Sequence, residues 1–161
     1  MQLPQATDAI VTYDAVMSAR TVRYSAGNEH NPGNPWGRSE LVIAPDGTVR
    51  LDHYFSRQAR VGSWTGRVNA AALEVPWSAL DRAGFPQVPD FRPVAGATLR
   101  TLIVERDTAV ARALVDWHQA PSLAGYAEAF DVLDGVVRQL SGESVPYPTS
   151  QPAIVSDIAA V

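Results

Sequence analysis

Glu40-Leu41-Val42-Ile43-Ala44-Pro45-Asp46-Gly47-Thr48-Val49-Arg50-Leu51-Asp52-His53-Tyr54-Phe55 decides the fold class of this chain. Glu40–Ala44 reads as one strand and Thr48–Phe55 as another. In the second, Val49, Leu51, His53 and Phe55 share one face, and Arg50, Asp52 and Tyr54 share the other, because successive strand side chains alternate. Between them Pro45 fixes φ at the first central turn position and Asp46 tolerates the second. Gly47 accepts the left-handed conformation that restores strand direction. A hairpin demands antiparallel pairing, so the sheet it belongs to is built from hairpins.

Upstream, Thr21–Ser25 alternates as a strand. Residues 9–17 are β-branched enough for a strand yet could be a helix capped by Thr7 or Asp8; the strand is the preferred reading. Residues 26–37 hold three Gly, two Pro and three Asn and form a long loop. Downstream, residues 60–68 continue the sheet, with Gly62 and Gly66 as bends or bulges. Asn69 caps a helix carrying Leu73, Trp77 and Leu80, with Pro76 either kinking it or starting a shorter one. Gly84 stops it. A second loop spans 86–96, and residues 98–117 form a second hairpin around Arg106-Asp107-Thr108. Pro121-Ser122 opens the last helix, whose Tyr126, Phe130, Leu133, Val137 and Leu140 step by 4, 3, 4 and 3, and Gly142 closes it.

The order is roughly β-β-β-β-α-β-β-α. It predicts an α+β domain: a mainly antiparallel sheet of about five to six strands with two helices packed on one face. Residues 1–143 form one domain. Residues 144–161 form a proline-rich tail that is either loose or docked on the body as a short strand or helix.

The chain has 161 residues and no cysteine, which excludes a disulfide framework, a zinc ribbon and a thiol nucleophile. All 13 basic residues are arginine, a pattern that fits codon bias in a GC-rich bacterial genome. The net charge is −4 with no run of like sign, which argues against a nucleic-acid ligand. The N-terminus has no signal-peptide pattern, and no apolar stretch approaches the 20 or so residues of a membrane span. A soluble, cytoplasmic protein is expected.

No dinucleotide fingerprint, Walker string or nucleophile elbow is present. His30, His53 and His118 lie in three separate elements, so their spacing implies no metal and no cofactor. Glu29 and His30 form a carboxylate–imidazole pair or a solvated loop end. His53 reads as a hydrogen-bonded sheet residue and His118 as a strand terminator. Asp131 and Asp134 fall off the apolar stripe of the last helix, which places them on a solvated face. Trp36 beside Arg38, and Trp64 after Arg60, are the strongest candidates for contact with a partner, since Trp and Arg are enriched at interface hot spots. The alternative is that both tryptophans pack beneath their own loops. The candidate binding set is therefore Glu29, His30, Trp36, Arg38, His53, Tyr54, Arg60 and Trp64, with no catalytic or metal-binding residue.

The cadence Glu40–Val49, then Gly66-Arg67-Val68, then Leu73, Leu80 and Ala83-Gly84-Phe85-Pro86, resembles small uncharacterised bacterial α+β domains. Some domains of this look resemble immunity proteins of bacterial toxin systems, or lipoprotein-borne modules; this chain lacks the lipobox cysteine of the latter. The resemblance carries over no functional residue; the absence of catalytic motifs, the acidic balance and the Trp-, Arg- and Gly-rich long loop point to a non-enzymatic domain, such as an immunity-type protein, that binds or inhibits another protein. Two alternatives stand beside it: a small-molecule enzyme or ligand-binding domain with a pocket between sheet and long loops, and a homo-oligomer docked through its tail.

Overall fold

A computed structural model describes residues 20–31, 36–56, 60–89, 92 and 94–145, and the backbone of 155–160. Residues 9–17 lie outside the described residues, as do 32–35 of the long loop and the prolines of the tail.

The strands are β1 (Thr21–Gly27), β2 (Arg38–Ile43), β3 (Thr48–Tyr54), β4 (Val61–Val68), β5 (Leu99–Arg106), β6 (Ala109–Asp116) and β7 (Val155–Ala160). Helix α1 (Ala70–Arg82) follows β4, and α2 (Tyr126–Leu140) follows β6 after a 3₁₀ turn at Ala120–Ser122. All pairings are antiparallel, and the sheet runs β6-β5-β1-β2-β3-β4-β7. The body therefore supplies six strands, as expected, and the tail adds a seventh beside β4.

The decisive hairpin pairs Ile43 with Val49 and Leu41 with Leu51. Gly47 sits at φ 84°, and its N–H donates to the Ala44 carbonyl. One face of the sheet holds Val22, Tyr24, Leu41, Leu51, Leu102 and Val115, all buried, and packs against both helices. The other face carries polar and charged groups between Val42, Ile103 and Leu114.

Asn69 caps α1 by accepting the Ala71 N–H, and Leu73, Trp77 and Leu80 are buried beneath it. Pro76 lies inside this helix without ending it. At its C-terminus the Phe85 N–H donates to the Leu80 carbonyl and that of Gly84 to Asp81, the paired bonds of a Schellman stop.

Three expectations are corrected. Gly62 and Gly66 do not bend β4, which pairs regularly with β3 throughout. Gly62 is small because the Trp64 indole lies over it, where a Cβ would collide. The irregularity falls at Arg67/Val68, against β7. Pro121-Ser122 belong to the 3₁₀ turn, and α2 begins only at Tyr126, after Gly125 reverses the chain. Asp134 is buried, not solvated, because α2 is enclosed well beyond one stripe: Leu133 through Val137 are all covered.

Candidate functional site

The long loop and the strand ends beside it gather most of the expected site residues, but into two groups on opposite faces of the sheet. On the helix-covered face lies His53, fully buried. Its Nδ1 is 2.7 Å from Ser39 Oγ and its Nε2 is 2.6 Å from the Trp36 carbonyl oxygen. A carbonyl only accepts, so Nε2 carries the hydrogen, and Nδ1 accepts from the Ser39 hydroxyl. Burial, then the nearby Arg38 and Arg60, lower the His53 pKa against the raising effect of the Trp36 carbonyl bond, so the ring is held neutral. Ser39 is also without exposed surface. The pair therefore anchors the loop from within the core.

Gly37 makes that anchor achievable. It takes φ 88°, and a Cβ there would fall on the Tyr54 carbonyl oxygen. The Trp36 ring stacks on Trp117 at 5.5 Å between centroids, which joins the long loop to the end of β6. Of the two tryptophan readings, packing beneath the loop is the one this geometry matches for Trp36. Phe55 meets the His53 ring edge-on at 4.6 Å and the Arg60 guanidinium at 4.1 Å. Trp64 stays on the helix-facing side of β4, paired across to Leu51 and packed partly buried against the core.

Beneath Trp117 lies a knot absent from the sequence reading. The Arg100 guanidinium sits 4.1 Å from the Trp117 ring, and its Nη1 donates to Asp134 Oδ2 at 2.8 Å and also to the Tyr24 hydroxyl. Tyr24 in turn donates to Asp134 Oδ1 at 2.7 Å. Burial pushes the Asp134 carboxyl up to about 6 against the opposing pull of Arg100 and Tyr24. Arg100 stays firmly charged: burial lowers it, and the Tyr24 and Asp134 oxygens more than reverse that. The clue to Asp134 was the apolar run on both sides of it, which marks a helix enclosed all round rather than striped.

On the open face, Arg38 grips Glu29 through two bonds, Nε to Oε2 at 2.8 Å and Nη2 to Oε1 at 3.1 Å. It also bonds Glu40 and lies 4.3 Å from the Tyr54 ring. The hydrogen bond to Arg38 holds Glu29 below its ordinary pKa. His30, strongly exposed, approaches Glu29 at 3.6 Å. Further along this face Arg50 pairs with Asp52, and Arg23 with Glu105. Between these pairs a depression of about 250 Å³ is lined by Arg23, Ser25, Glu40, Val42, Thr101 and Ile103.

Among the described residues no cluster of three or more His, Asp or Glu could hold a metal ion, and no helix is long and apolar enough to cross a membrane. No protein-family model and no curated protein matches the chain.

Proposed function

We propose that this chain is a non-enzymatic protein-binding domain and that it docks its partner on the open face of the sheet. The observation that carries this reading is the asymmetry of the two faces. Both helices lie on one side, whereas the other presents Val42, Thr101 and Ile103 around a shallow depression, with no helix over it among the described residues. These side chains are half-buried. The face offers Arg and Tyr, the residue types that dominate interface energies, in fixed orientations: Arg38 is locked between Glu29, Glu40 and Tyr54. Charges of both signs alternate across it. That suits a folded protein of mixed charge better than a polyanion.

The immunity-type form of the reading makes the partner a bacterial toxin that the chain inhibits one to one. A toxin gene adjacent to this one would support that form.

The test is a comparison of captures from a lysate of the host cell. Wild-type protein is expected to retain a stoichiometric partner, and Ile103→Glu to lose it at least tenfold while its thermal midpoint stays within a few degrees. Glu128→Arg, on the exposed side of α2, should retain the partner. Recovery of nothing by the wild type, or equal recovery by Ile103→Glu, overturns the proposal.

A further inference from the structure

On the opposite side of the sheet from the docking face, a second hollow of about 260 Å³ opens between the C-terminal half of α1 and the ends of β5 and β6. Trp77, Leu80, Phe85 and Val104 form its apolar walls. Arg20 and Arg106 also line it, and the strand register explains why they meet there. Thr21 pairs with Glu105, so the next step of the ladder sets Arg20 opposite Arg106. Both then fall on the helix-facing side, in line with Val22 and Val104.

Two cations side by side on neighbouring strands repel one another. That repulsion is felt: burial, then Arg106, lowers the Arg20 pKa. The Arg20 guanidinium is held 5.8 Å from the Trp77 ring, at the boundary of the apolar wall. Asp81 is the one carboxylate on the lining, and Glu74 and Asp81 both pull the Arg20 pKa back up against burial and Arg106. An apolar cavity lined at one end by two arginines on neighbouring strands matches a molecule with a hydrocarbon body and an anionic end.

We propose that this hollow is a binding site for a small amphiphilic carboxylate, with the body against Trp77, Leu80 and Phe85 and the carboxylate on Arg20 and Arg106. The volume accommodates roughly eight or nine water-sized groups, which sets the scale at a medium-chain or single-ring acid. A planar carboxylate can take two parallel hydrogen bonds from one guanidinium, a geometry no alcohol of the same length reproduces.

Octanoate and 1-octanol separate the two halves of the proposal when titrated calorimetrically into the full chain. Octanoate is expected to bind saturably with Kd below about 1 mM, at least tenfold more tightly than octanol. Arg106→Gln, at the exposed end of β5, should cut the preference for octanoate at least threefold without moving the thermal midpoint, Arg20 remaining in place. Ala111→Phe should fill the hollow and abolish both; because it lies in a strand and can itself destabilise the fold, Arg106→Gln carries the decision. Ile103→Glu, across the sheet, should leave octanoate binding unchanged, so failure here and failure of the docking face are told apart. Absence of saturable octanoate binding overturns the proposal, and so does an Arg106→Gln variant that keeps the full preference for octanoate.

Discussion

Two buried polar knots hold this molecule together at neighbouring places, and they solve the same problem in opposite ways. Under α2, Arg100 and Asp134 keep their charges and cancel them against each other, with Tyr24 closing the set. Under the long loop, His53 gives up its charge and spends both ring nitrogens on Ser39 and the Trp36 carbonyl. The ionic knot depends on a partner of opposite sign. The neutral one depends on backbone geometry, because its acceptor is a carbonyl set in place by Gly37. The Trp36–Trp117 stack and the Arg100 guanidinium beneath it couple the two.

Breaking the ionic knot should have the largest effect. Asp134→Ala strands the Arg100 charge in the core and is expected to cost about 3–5 kcal/mol, measured by urea unfolding. The double variant Arg100→Met, Asp134→Leu should recover most of this loss. A double variant as unstable as the single one would show that packing, not charge, is what the knot supplies. The neutral knot should fail through its backbone. Gly37→Ala forces a Cβ onto the Tyr54 carbonyl at a positive φ, with an expected loss of about 2 kcal/mol and visible changes in near-ultraviolet dichroism as the Trp36–Trp117 stack shifts.

The two knots should also respond to acid with opposite signs. Burial holds His53 below its ordinary pKa of about 6.5, so under mild acid the unfolded chain takes the proton first. Its contribution to stability is complete above that pH and is lost as the pH falls. Asp134, pushed up to about 6, takes its proton in the native state before the unfolded carboxyl does near 3.9. Its contribution is complete below about pH 4 and is lost as the pH rises through 6. Stability measured from pH 7.5 to 4.5 should therefore fall less steeply in His53→Gln than in the wild type, and more steeply in Asp134→Asn. Equal slopes in all three proteins would remove both knots from the acid response. The smallest effect belongs outside the knots: Arg23→Ala breaks an exposed pair with Glu105 and should cost less than about 1 kcal/mol, vanishing in high salt.

What the sequence made legible was local chemistry. The turn at Pro45-Asp46-Gly47, the Asn69 cap and the stop at Gly84 each act within a few residues, and each is found where its chemistry requires. His53 is readable as a partly buried, hydrogen-bonded strand residue from its place in the alternation of β3, and the fold buries it completely. What escaped was set by contacts distant in the chain. Arg100 and Asp134 are 34 positions apart and Tyr24 and Asp134 are 110 apart, so no spacing announces the knot. Most of the candidate site residues lie toward one end of the sheet, with Trp64 farther along β4; alternation separated His53 from Tyr54, but it could not say that Arg38, from another strand, would lie beside Tyr54 on the open face. A glycine in a strand such as Gly62 leaves two explanations, a bend or a close neighbour, and only the fold shows that an indole fills the gap.

The central position of β1 has a consequence for how the chain could be divided. β1 is flanked by β2 on one side and β5 on the other, so its pairing with β5 joins Thr21 to Glu105 across most of the body. On one side of that seam β1 to β4 pair in chain order, and on the other β5 and β6 form a single hairpin; these local pairings can form early, whereas the seam closes only after a long loop is drawn in. A chain cut in the 83–98 connection would leave one piece holding β1 to β4 with α1 and another holding β5, β6, α2 and β7. Neither half alone completes the Arg100–Asp134–Tyr24 set. Mixed together the halves should recover native dichroism in equimolar proportion, which makes this fold a candidate for a split reporter whose signal is the closing of two strand pairs, β1 with β5 and β4 with β7.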